Sequence, residues 1–289
     1  MAENGKVINA AYALELDFVD QEDGIMRSGT FFLICNECDR LLFSDYESET
    51  NLLETPCNLL LAEIAVKDAL LQVSKRNYEI ELYDLLQNEY NRYENKELLD
   101  TIHELDLRDY MFDYRRAKKI IDKRLKSGYI LTYTTILPYV VPIAAQTGIT
   151  LIRDIKGNIV NDIYDTSPMI RMQTLHCCIF PLTSSTRIIL FHHKDDRNYI
   201  HFDDQFGRLS PDEQLQRVNY MLFQHSENYF ASPIIKDVLS SDENLKRLCE
   251  ENGELPNLGF VHIDEINNPR KIVPIDDVPN LLSEQYKLR

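Results

Sequence analysis

The chain has 289 residues, 44% of them hydrophobic, enough to bury a core and too apolar for a disordered polymer. Its 47 Asp and Glu against 31 Lys and Arg give a net charge of −16, so its long-range field repels phosphate backbones and argues against general nucleic-acid binding. Six cysteines, two of them adjacent (Cys177, Cys178), do not make the framework of a small secreted domain, and no apolar run reaches the roughly 18 to 20 residues that span a bilayer; a cytoplasmic, reducing setting is the expectation.

In chain order, KVINAAYALEL, the loop VDQEDG and IMRSGTFFLI read as a hairpin whose second strand delivers the chain to Cys35. From Pro56 to Lys126 apolar residues recur at helical spacing, with Asn77 and Asn95 as caps or breaks, which predicts three or more helices ended by Ser127-Gly128. The cation-rich stretch YRRAKKIIDKRLKSGY reads as the last turns of such a helix, complementing its dipole. YILTYTTILPYVVPI opens a β-rich region; Gly157-Asn158 predicts a hairpin, and LHCCIFPL and TRIILFHH read as buried strands. Ser210-Pro211-Asp212-Glu213 is a capping box that starts a helix, a further helix runs near Asp242 to Glu251, and LGFVHI is a candidate last strand. The pattern predicts an α+β protein: a β-hairpin and Cys-x-x-Cys element over residues 1–56, a helical block over 57–128, and a mixed, mainly antiparallel β-rich region with C-terminal helices over 129–289, forming one compact unit.

Two groups of residues have metal-binding chemistry. Cys35 and Cys38 are spaced as half of a tetrahedral zinc site, but a second pair is missing nearby; as a redox pair they lack a following helix and a βαβ setting, and a plain turn is the third reading. His192, His201 and Asp203, within ILFHHKDDRNYIHFDD, suit a transition metal, yet no pair lies at helical i, i+4 spacing and the Asp pairs flank what reads as a loop. No phosphate-binding or nucleophile motif is present. Acid concentrates at the ends, with 12 acids against 3 bases in residues 1–57 and 14 against 9 in residues 207–289. This makes Asp20, Glu22, Asp23, Asp45 and Glu47 candidate contacts to a basic protein partner.

FFLICNECDRLLFSDYES, preceded by AENGKVINA, resembles the core of an uncharacterised family of bacteria and their phages. In that family a Cys-x-x-Cys and a Ser-His-x-x-Pro-x-x-x-Leu-Lys-Asn stretch come first, then Asn-Gly-Lys-Val, then Cys-x-x-Cys-Asp. The resemblance implies an HNH-like or zinc-bound N-terminal element, here truncated, since only Cys35, Cys38 and Asp39 match. MQTLHCCIFPLTSSTRIILFHH, with Pro181-Leu182-Thr183-Ser184, is similar to the C-terminal half of a family of unknown function that opens with His-Tyr-Val-Pro. The expectation that follows is a non-enzymatic binding protein, an inhibitor or regulator in host-phage conflict (anti-defence) that acts through its acidic surface on a basic nucleic-acid-binding enzyme. The alternative is a metal-dependent, HNH-related nuclease or its inactive remnant.

Overall fold

The structure is a computed structural model, and it describes residues 2–9, 22–24, 33–90, 96–226, 228–253 and 273–288. Seven strands form one sheet in the order β2-β1-β7-β4-β5-β6-β3, with every pair antiparallel. They are β1 Lys6–Asn9, β2 Glu22–Gly24, β3 Tyr129–Leu137, β4 Ile143–Ile149, β5 Leu175–Pro181, β6 Thr186–His193 and β7 Tyr229–Ala231. The fold is therefore α+β. Strand β1, from the N-terminal segment, pairs with β7, which follows α6, so segments more than 200 positions apart share the sheet.

Strands β5 and β6 read as unbroken apolar runs because both of their faces are covered. On one face Cys177, Ile179, Ile188 and Leu190 pack against helices α5 (Ile200–Phe206), α6 (Pro211–His225), α7 (Lys236–Ser241) and α8 (Glu243–Gly253). On the other face Cys178, Ile189 and Phe191 meet Leu60, Ile64 and Ala65 of helix α3 (Asn58–Tyr90) and Ala117 of helix α4 (Lys96–Lys123). Helix α3 is buried on nearly every side from Leu60 to Val66, where it lies between the sheet and α4, and only its later turns become amphipathic. Helices α1 (Asn36–Leu42) and α2 (Glu49–Leu53) and the turn between them cover the end of this layer through Phe43 and Tyr46 of the turn and Leu52 of α2.

Several local expectations are corrected. Among the described residues the helical block holds two long helices rather than three or more, because Asn77 lies inside α3, where packing against α4 carries the helix past it; Asn95 lies outside the described residues. Helix α4 ends at Lys123, before Ser127-Gly128; Arg124 follows with φ 47°, and the Leu125 and Arg124 amides cap the carbonyls of Ile120 and Ile121. Strand β2 falls within VDQEDG, the segment read as a loop; of the strand expected over 25–34, residues 25–32 lie outside the described residues and Leu33 and Ile34 form a bend, and LGFVHI also lies outside the described residues. The hairpin at Gly157 shrinks to a single bridge, Arg153 to Ile159, because the Asp154 carboxylate accepts the amides of Lys156 and Asn158 in place of a ladder.

The cationic end of α4 is partly internal. Arg116 and Arg171 both pair with Asp196 and Asp113, tying α4 to the loop after β6 and to the segment before β5. Burial alone would raise the Asp196 carboxyl, but hydrogen bonds and charge from the two arginines outweigh it and hold the group below the ordinary carboxylate range.

Candidate functional site

Where the helical layer meets the sheet, the space between α3, α4, β4, β5 and the end of α6 is not filled. It is a cleft of about 330 Å³ lined by Asp68, Tyr110, Asp113, Thr174, His176 and His225, among others. A smaller pocket of about 140 Å³ shares Gln72, Tyr110, Gly148 and His225 with it and continues toward Lys75, Arg76 and Glu79. Gly148 keeps the floor low: a Cβ there would lie 2.8 Å from Thr174 Cγ2.

At the base of the cleft His176 Nδ1 lies 2.7 Å from Asp68 Oδ2, with both side chains buried. Asp68 Oδ1 accepts from Gln146 Nε2 at 2.9 Å, so the carboxylate is held from the strand as well as by its own helix. The imidazole stacks on Phe191 with ring centres 4.6 Å apart and meets the edge of Tyr129. With Nδ1 committed to Asp68, Nε2 is the ring nitrogen left for the cleft. Around it, Asp113 accepts from the Thr174 hydroxyl at 2.7 Å, and burial, opposed by Arg116 and Arg171, leaves its carboxyl raised. Burial also pushes the Tyr110 phenol up to about 12 and the His225 imidazole down to about 4, so both are neutral at neutral pH.

The cysteine pair sits elsewhere. Cys35 caps α1 and its Sγ accepts the Cys38 amide at 3.4 Å, with both thiols exposed. A helix does follow the motif, which corrects the expectation that none would. Hydrogen bonds from the Cys38 amide and thiol lower the Cys35 thiol, and the same contact raises Cys38. Cys57 is exposed, Cys177 and Cys178 are buried in the sheet, and among the described residues no three His, Cys, Asp or Glu side chains gather as metal ligands.

His192 and His193 end β6 on opposite faces, His192 toward α5 and His193 beside Tyr129. His192 and Asp203 do converge, with Nε2 2.8 Å from Oδ2, but His192 Nδ1 is taken by the His193 carbonyl and Asp203 Oδ1 by the Thr132 hydroxyl at 2.6 Å. The pair is a closed clasp between the sheet and α5. Asp203 and Asp204 lie on that helix rather than in a loop, and His201 is exposed on it. Among the candidate docking acids, Glu47 pairs with Lys67 at 3.1 Å, and the Asp45 amide donates to Glu63. Glu22 and Asp23 fall on β2, and Asp20 lies outside the described residues.

Sequence reasoning missed the Asp68 and His176 pair. An acid within LLLAEIAVKDALL and a histidine within LHCCIFPL are each signals of a buried polar group that needs a partner. The two are 108 positions apart, so only the fold joins them. No family model, no curated protein and no solved structure matches this chain. Among the described residues no helix is long and apolar enough to cross a membrane.

Proposed function

We propose that the chain binds a small polar ligand in the cleft between α3 and β5, and that His176 Nε2 takes a proton from that ligand or from a water beside it. The observation that carries this reading is the buried Asp68 and His176 pair, 2.7 Å apart, at the base of a cavity of about 330 Å³. A carboxylate that accepts from Nδ1–H fixes the tautomer whose Nε2 lone pair is free, and it stabilises the imidazolium that forms when a proton arrives. Thr174, Tyr110, Gln72 and Gln224 line the same space and supply hydroxyl and amide partners to orient a polar molecule. The test is affinity selection from a mixture of polar metabolites, read by mass spectrometry. The wild-type chain retains a ligand that His176→Asn loses while its thermal midpoint stays near that of wild type; equal retention by both proteins contradicts the reading.

A second reading, docking on a basic protein, is favoured by the exposed acids of the α1–α2 layer, where Glu37, Glu47 and Glu49 face solvent in a chain of net charge −16. In this reading the chain is an inhibitor or regulator of a nucleic-acid-binding enzyme in host-phage conflict. Association with such a partner slows steeply as salt rises, because exposed charges are screened within about 8 Å at physiological ionic strength. Neutralising Glu37 and Asp45 then slows association more than it speeds dissociation; a rate indifferent to salt contradicts it.

A further inference from the structure

On the far side of Gln224 and His225 the first cleft adjoins a second chamber of about 400 Å³, which shares those two residues and Ile152 with it. Its walls are mainly apolar: Leu151, Ile155, Phe202, Met221, Val273 and Ile275. Most of its polar groups are already occupied. The Asp154 carboxylate holds the amides of Lys156 and Asn158 and the side chains of Asn158 and Gln205. Arg153 donates to the Gly157 carbonyl, and the Tyr220 hydroxyl donates to the Val273 carbonyl.

Arg217, on α6, is the charged group left without a hydrogen-bond partner at its Nε. That Nε is buried, and no carboxylate among the described residues forms an ion pair with it. Burial lowers its guanidinium, and the charge of Asp276, whose side chain is exposed, opposes this only in part. A half-buried guanidinium whose Nε has no partner is costly to hold, and its planar fork matches a carboxylate, phosphate or sulfonate. In a chain of net charge −16, a cation facing an apolar cavity is selective for what enters.

We propose that this chamber binds an amphipathic acid, with the apolar body against Phe202, Met221 and Ile275 and the anionic group on Arg217. The shared wall at Gln224 and His225 places the bound molecule next to the Asp68 and His176 cleft, but the proposal does not rest on proton transfer there.

The probe is the fluorescent sulfonate 1-anilinonaphthalene-8-sulfonate, titrated into the full chain and displaced by decanoate or by decanol. Decanoate displaces it about tenfold or more better than decanol, as a charge-assisted hydrogen bond requires. In Arg217→Met the two competitors become equal, in Ile275→Trp the filled chamber admits neither probe nor competitor, and in His176→Asn the preference for decanoate persists. Equal displacement by acid and alcohol in the wild-type chain overturns the proposal, as does unaltered probe binding in Ile275→Trp, which decides the matter if Arg217→Met fails to fold. Loss of ligand retention in His176→Asn with this preference intact separates the first cleft from the second.

Discussion

Glu63 sits on the side of α3 that faces the segment between α1 and α2, almost wholly buried, with Oε2 accepting the amides of Asp45 and Tyr46 at 3.1 and 3.2 Å. Burial outweighs those two hydrogen bonds and raises the carboxyl to about 7. The folded chain therefore keeps a proton that the unfolded chain releases above pH 4.5, and stability falls as pH rises between 4.5 and about 7. Glu63→Gln retains an acceptor for both amides and has no charge to desolvate. It is expected to match the wild-type urea midpoint near pH 5 and to exceed wild type by about 1 to 3 kcal/mol near pH 8; parallel profiles contradict this. His193 and His225 act in the opposite direction, since burial pushes both down to about 4 and the stability of keeping them neutral is lost as pH falls from 6.5 toward 4. An acid in AEIAVKD was visible in the sequence, but its protonation state depends on how deeply α3 is packed, which no local pattern encodes.

Elements were legible where local chemistry and tertiary packing agree. The capping box at Ser210 is formed in both directions, with Glu213 accepting from the Ser210 amide and Ser210 Oγ from the Glu213 amide, and α6 starts where the pattern places it. Strands β3, β5 and β6 follow their β-branched and apolar runs, whereas β4, with two alanines, a glutamine and a glycine, carries no such run. The pattern fails where another contact wins: at Asn77 the long-range packing of α4 overrides a weak local signal, and at Asp154 a local side-chain contact competes with the ladder expected around Gly157. Asn77 is exposed in the interior of α3, so Asn77→Ala is expected to stabilise the chain by about half a kcal/mol, the difference in helix propensity. A lower thermal midpoint for that variant would mean that Asn77 caps a helix end.

At the scale of the molecule, the architecture places polar groups from distant segments in one cleft. Helix α3 presents Asp68, β5 presents His176, α4 presents Asp113 and α6 presents His225. Each lies in a segment that was recognised as helix or strand, but their convergence depends on the order of strands in the sheet and on which face α3 covers. The motifs that stood out in the sequence lie outside this cleft: Cys35 and Cys38 are at the start of α1, and His192 of β6 closes on Asp203 of α5. The central claim is that His176 presents an imidazole nitrogen to a cleft that small molecules enter, and diethyl pyrocarbonate, which acylates accessible neutral imidazoles, tests it most directly. Peptide mass spectrometry of the treated native chain is expected to show acylation at His176 as well as at the exposed His201. An untouched His176 in the native chain, with acylation appearing only after unfolding in urea, would contradict it.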